Sequence, residues 1–495
     1  MMSVTASSAA DEPGRRPGFH TPRVRRSGDR HGCAGDVGRT VRGRWAMPET
    51  LPAPVPVPHD AEVVRAAAEA LVWARPALLG YRELRTQLRT SRAGLGVLDH
   101  DEGPPAPGDG TRHGDPLLLR SSGWLDLRAE PAVVGHPDLP PGRYAGLQVV
   151  DLLARTVAHL GAAGTGAEAG DWAVAGPGWD GRVPPGVRGV LRSGSPLVRV
   201  LARTAVPGPG GLRVARELQH AYRVRPLHAL GGVLPPRPAP SPGWLRWDEE
   251  RAWGAGFVDY LALLLRVAPP ADPADRRRVG RWVRLGVLPG LGLPGAGQHA
   301  DDGHRTDGRT RVLVARGAAL GAAQLADALR REGQGAGGAR ATGGTGAAAD
   351  GAGVAAALHR AVAAEYELHA PEPDEVRTLR WRLVDGEPLD GHRRYRMTLR
   401  TPPPARLLWS LAAHAEPSGE LVANRARRYA LGPATPDLPW GPDGSLTVTL
   451  QHDEPVDALG RAGWLPVPPG PFSLVLRLYG PLPAPAWAPA LRVLG

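Results

Sequence analysis

Three side chains in the last quarter of the chain, Asn424, Arg428 and His452, are of types that could bind or transform a small polar molecule. Asn424 is the only asparagine in 495 residues, which suggests that its position requires that side chain. An amide and a guanidinium four residues apart could hold a carboxylate or sugar hydroxyls. An asparagine can equally close a turn on its own backbone or adopt a left-handed conformation. His452, in Gln451-His452-Asp453 at the end of a predicted strand, is the candidate general base, because an unperturbed imidazole titrates near neutrality. Neighbouring strand residues point to opposite faces, so Asp453 could orient His452 only where the strand has already ended. The competing reading is a solvated or structural histidine.

Other chemistries are excluded by composition. The chain has no lysine, which rules out a pyridoxal Schiff base, a P-loop lysine and a Ser-x-x-Lys hydrolase. Its single cysteine, Cys33, excludes intrachain disulfides and cysteine-rich zinc sites. No His-x-x-x-His helix and no Gly-x-Ser-x-Gly elbow is present, so neither a metal nor a cofactor is expected. Sixty Lys+Arg against 49 Asp+Glu give a net charge of +11. The excess is all arginine, isoleucine is missing as well, and no basic block interleaves aromatic residues. That pattern points to a nucleotide bias toward G and C, not to a nucleic-acid surface. No segment reads as a transmembrane helix or a secretory signal, so a cytoplasmic location is expected.

The elements that must position these residues follow from hydrophobic period. Phe472, Leu474, Leu476 and Leu478 alternate with Ser473, Val475, Arg477 and Tyr479, a strand with one fully apolar face. Arg477, on the other face, is expected to be structural and to pair with a carboxylate across the sheet, with Asp453 and Glu454 as candidates. Strands are also predicted over 121–131, 142–151, 171–181 and 195–204, and in 380–399, 407–413 and 446–451. From Asp60 the period is helical, with Pro76 kinking or ending the helix. Residues 246–290, 312–329 and 354–366 also read as helical. The expected fold is mainly β with a helical connecting segment (α+β), its C-terminal part a compact β-sandwich or jelly-roll. The expected divisions are a disordered Arg/Gly/Pro-rich tail at 1–58, a β-rich domain at 59–233, a helical connector at 234–371 and the sandwich at 372–495. The Gly-rich run 332–352 is expected to be a mobile insertion.

The stretch Trp464-Leu-Pro-Val-Pro-Pro-Gly-Pro-Phe-Ser-Leu-Val-Leu-Arg-Leu-Tyr479 resembles the end of a two-domain bacterial family. That family pairs domain of unknown function 1254 with domain of unknown function 1214. Gly142-Arg-Tyr-Ala-Gly-Leu-Gln-Val-Val-Asp151, Asn424-Arg-Ala-Arg-Arg-Tyr429 and Gln451-His-Asp453 also resemble it. The resemblance implies Tyr429, Gln451, Arg143 and Tyr144 as ligand-binding candidates beside Asn424 and Arg428. Where the family carries Asn-Asn-Asp-Thr-Leu-Tyr, this chain has Asp115-Pro-Leu-Leu-Leu-Arg120, so candidate polar ligands have been replaced. The expected function is therefore binding of a small carbohydrate-like or carboxylate molecule, or a scaffold role with an eroded site. The alternative is a hydrolase- or lyase-like enzyme with its site at the inter-domain cleft. Whether the chain is an enzyme, and whether it forms a homo-oligomer, stays open at this point. No nucleic-acid partner is expected.

Overall fold

The structure is a computed structural model. It describes residues 60–91, 94–208, 210–288, 308–334, 340–342, 354–366, 373–484 and 487–494. The expected disordered tail lies outside these residues, as does most of the Gly-rich run. Within that run, Arg340–Thr342 forms an edge strand on Val376–Trp381. The fold is α+β: two β-sandwiches and a helical layer.

The first sandwich stacks two sheets. One has the strand order Asp99–His100, Leu118–Asp126, Leu197–Ala205, Ala145–Asp151, Thr156–Gly161, antiparallel throughout. The other runs Val187–Arg192, Gly170–Ala175, Ala132–His136, Arg223–Pro226. Leu125, Leu147, Val149, Val198 and Val200 meet Val134, Trp172 and Val174 between them. Residues at period 2 from one strand share a face, so this core leaves Leu118, Arg120, Arg199, Leu201 and Arg203 on the opposite side of the first sheet.

The second sandwich repeats the arrangement. Val376–Trp381, Phe472–Pro481 and Ala405–Ala415 are the inner strands of one sheet, and Leu446–Gln451 and Arg394–Leu399 those of the other. Leu474, Leu476 and Leu478 pack on Tyr395, Met397, Val448 and Leu450. The alternate face of Phe472–Pro481 is buried too, because the first sandwich covers it. Tyr479 packs against Tyr144 with ring centroids 4.4 Å apart and planes tilted by 46°, and Leu118, Ala205 and Val376 complete that small apolar contact. Arg477 is buried, but its partner is the carbonyl of His113 in the first sandwich, at 2.6 Å. Across the sheet its register neighbours are Thr378 and Ser410, not the expected Asp453 or Glu454.

The helical layer is larger than a connector. The opening helix, Asp60–Thr90, runs through Pro76 without ending there. Ala77, Leu78, Tyr81 and Leu84 beyond the proline are buried, and that packing compensates for the one lost hydrogen bond. Phe257–Val267, Pro273–Arg284, Gly308–Gln334 and Val354–Tyr366 share a single apolar cluster with it, which also takes in Trp124 and Leu197 from the first sheet. Gly308–Gln334 approaches the opening helix closely. A Cβ at Gly317 would lie 2.4 Å from the Ala67 Cβ, and one at Gly321 would lie 2.8 Å from the Ala68 carbonyl oxygen. Its Gly308–Arg331 stretch contains an 18-residue window with a mean hydropathy of 1.3, enough by length and composition to cross a membrane, a test that the core helix of a soluble protein also passes. Leucine, alanine and valine supply that value, interrupted by Arg316, Gln324 and Asp327.

Candidate functional site

The two sandwiches and the helical layer enclose a cleft of about 500 Å³. Its floor is the outer face of the first sheet, with Leu118 and Arg120 from one strand and Arg199, Leu201 and Arg203 from the next. One wall is the opening helix, which presents Arg75, Leu79, Arg82 and Glu83 at helical spacing, together with Glu365 at the end of Val354–Tyr366. The other wall is the loop through Arg112, His113 and Asp115, with Val376, Arg477 and Tyr479 from the second sandwich.

Charge dominates this space. Arg75, Arg82, Arg112, Arg120, Arg199, Arg203 and Arg477 line it, against Glu83, Asp115 and Glu365; Asp101 and Glu249, just outside the lining, pair with Arg120 and Arg82, which leaves an excess of 7 − 5 = 2 positive charges among these residues. Arg120 and Arg203 are direct register partners on adjacent strands. Like charges placed directly opposite destabilise a sheet, so fold stability alone does not account for that pair. Arg120 donates to Asp101 at 3.0 Å and to Thr111 at 3.2 Å. Arg203 donates to Gln148 Oε1 at 2.8 Å. Arg199 donates to Ser122 Oγ at 3.1 Å and forms an ion pair with Glu83. Arg75 pairs with Glu365, its guanidinium 3.6 Å from the Trp253 ring centroid.

His113 stands in the left-handed region, with φ of 50°, an uncommon conformation for a side-chain-bearing residue. Its Nε2 lies 3.4 Å from Arg380 Nη1, and its ring is 5.3 Å from that of His414. Burial, followed by the neighbouring arginines, holds both imidazoles neutral far below the usual histidine range. Asp115 accepts hydrogen bonds from Tyr479 Oη at 2.6 Å and Ser410 Oγ at 2.9 Å, which fastens the loop to the second sandwich.

Beside the floor, at the junction of the sandwiches, lies a second titratable group of residues. Glu375 is 4 % exposed, hydrogen-bonded to the Tyr144 hydroxyl and 4.0 Å from His159 Nδ1. Burial is the main cause that pushes the Glu375 carboxyl up to about 7. Burial, then Arg203, pulls the His159 imidazole down to about 4.

The residues singled out in the sequence lie elsewhere, apart from Tyr144. The Asn424 side chain donates to the carbonyls of Val422 at 3.0 Å and Arg428 at 2.9 Å, and accepts from the Arg428 amide at 3.0 Å. Those bonds close a loop in the manner of the turn reading. The Arg428 guanidinium donates to the carbonyls of Arg461 at 2.8 Å and Trp464 at 3.0 Å, where the short helix Ala458–Ala462 ends. His452 Nδ1 donates to the Val467 carbonyl at 3.0 Å, and Gln451 Nε2 to that of Asp453 at 2.7 Å. These four residues share one end of the second sandwich and do not line the cleft. Tyr429 is half-buried beside them, and Arg143 sits in the turn that precedes Ala145–Asp151. Tyr144 is buried under the cleft against Tyr479, which does line it.

Sequence reasoning missed the cleft arginines, since a general arginine bias explained them all alike. The available signal was Arg199-Val-Leu-Ala-Arg203, two cations on the same face of one predicted strand. Asp115-Pro-Leu-Leu-Leu-Arg120 was a further signal. This stretch departs from the family pattern, and its Asp115, Leu118 and Arg120 all line the cleft.

Comparison with known proteins agrees with this architecture. No curated protein matches the chain. The crystal structure of the VPA0106 protein from Vibrio parahaemolyticus has the same fold, with 20% sequence identity and a TM-score of 0.64, over 88% of this chain and 100% of that one. An uncharacterized protein from Burkholderia cenocepacia matches more distantly, with 12% identity and a TM-score of 0.40, over 88% of this chain and 95% of that one. The model of the protein of unknown function DUF1254 matches residues 104–226, and that of DUF1214 matches residues 376–483. One match falls in each sandwich, so the chain carries a region similar to DUF1254 followed by a region similar to DUF1214, both of unknown function.

Proposed function

We propose that the chain is a binding protein for a small organic anion, held in the cleft between its two sandwiches. The observation that carries this reading is the convergence of seven arginines against three lining carboxylates on one half-open cleft of about 500 Å³, where an excess of two positive charges remains after Asp101 and Glu249 are counted. A cavity of that size accommodates a metabolite-sized ligand, and guanidinium groups match carboxylate and phosphate oxygens in paired hydrogen bonds. Partial enclosure between the sandwiches reduces screening of the more buried charges, such as Arg199 and Arg477, relative to an open surface.

Binding is favoured over catalysis by the state of His113. An imidazole kept neutral by burial and by cationic neighbours accepts a proton poorly, so it suits hydrogen bonding to a ligand better than general-base work. The enzyme alternative, with His452 as base, would need that residue to leave its bond to the Val467 carbonyl.

The test is ligand-dependent thermal stability of the whole chain at low ionic strength, with citrate and inorganic phosphate against neutral sugars of similar size. The anions should raise the melting temperature and the sugars should not. A ligand at a hundredfold its dissociation constant stabilises by about 2.7 kcal/mol. Arg120→Gln should weaken the response. Equal stabilisation by neutral sugars, or a full response in that variant, would overturn the reading.

A further inference from the structure

The floor and the helical wall of the cleft carry the same order of chemistry. On the floor, Arg199, Leu201 and Arg203 follow one another at two-residue steps on one strand face. A strand advances about 3.3 Å per residue, so these two arginines leave the sheet about 13 Å apart, with a leucine between them. On the opening helix, Arg75, Leu79 and Arg82 line the same space. A helix rises about 1.5 Å per residue, which separates those arginines by about 10 Å, again with a leucine between. The Glu83–Arg199 ion pair ties the two walls together and places Arg82 and Arg199 toward one end. Arg203, with its register partner Arg120, lies toward the other.

The cleft therefore has two cationic ends and an apolar waist. A single anionic group can neutralise one of the two excess charges and reaches one end of the cleft, not both. We propose that the ligand is an elongated dianion, with two carboxylate- or phosphate-type groups joined by an apolar spacer that lies over Leu79 and Leu201. This rests on the anion-binding reading and adds the ligand's shape to it. Glu83 and Glu365, each holding an arginine of the cleft, occupy those cations in the ligand's absence and would be displaced as it enters.

The experiment is titration calorimetry of the full chain, at one fixed low salt concentration, with straight-chain α,ω-dicarboxylates of increasing length. Each is compared with the monocarboxylate of equal carbon number. Once the first carboxylate is held, the second binds at a high effective concentration, so affinity should pass through an optimum length. At that optimum the dicarboxylate should exceed its monocarboxylate by about tenfold or more. Arg203→Gln should abolish the optimum and bring the two series together. Monocarboxylates that bind as tightly as dicarboxylates at every length would overturn the dianion proposal while leaving the anion-binding reading in place. Persistence of the optimum in Arg203→Gln would overturn the proposed anchoring. Failure of every carboxylate and phosphate to bind would overturn both readings together.

Discussion

Replacing Glu375 with glutamine should remove the loss of stability that this carboxyl causes as pH rises from about 4.5 through 7. The carboxyl is buried at the junction of the two sandwiches, and its pKa rises from 4.5 to about 7 on folding. Between those values the native state binds more protons than the unfolded state does. The stabilisation is therefore fully present below pH 4.5 and is lost as pH rises through 7. That change corresponds to roughly 3 kcal/mol of stability. His159, 4.0 Å away, works in the opposite sense. Its folded pKa of about 4 lies below the ordinary 6.5, so its contribution is lost as pH falls through that interval. The two effects offset each other in mildly acidic solution, and the clean window lies above about pH 7. Glutamine resembles the protonated carboxyl and can keep the hydrogen bond to Tyr144. In urea unfolding at two pH values, the variant should match the parent near pH 5 and exceed it near pH 8 by up to about 3 kcal/mol. The same stability difference at both pH values, or a variant less stable than the parent near pH 8, would refute the reasoning.

Two further substitutions probe the framework. Gly317→Val should cost about 1–3 kcal/mol by forcing apart Gly308–Gln334 and the opening helix, where a Cβ would meet that of Ala67 at 2.4 Å; a lowered melting temperature checks it. Asn424→Ala removes three hydrogen bonds that close its loop and should cost about 1–2 kcal/mol in denaturant unfolding. That variant should leave anion binding in the cleft unchanged, and a lost calorimetric signal would place the site at the far end of the second sandwich after all.

The sequence by itself determined the strands, the helices and the pairing of the two domains of unknown function. Alternation in Phe472–Tyr479 identifies the core face of the central strand, because a strand exposes its two sides at period 2 and only one of them can be uniformly leucine and phenylalanine. Absence of lysine and scarcity of cysteine removed whole classes of chemistry without any coordinates. Helix continuation through Pro76 was not legible, since it depends on burial of the residues beyond the proline and not on their propensity. Nor was the cleft. The polar side of Leu197–Ala205, with Arg199 and Arg203, has the same pattern whether water or a second domain faces it. The same is true of the side of Phe472–Pro481 that bears Arg477 and Tyr479. Only the tertiary structure turns these two faces toward one space, under a helix that adds Arg75 and Arg82. The concentration of like charge arises from segments more than a hundred residues apart, and no local period records it.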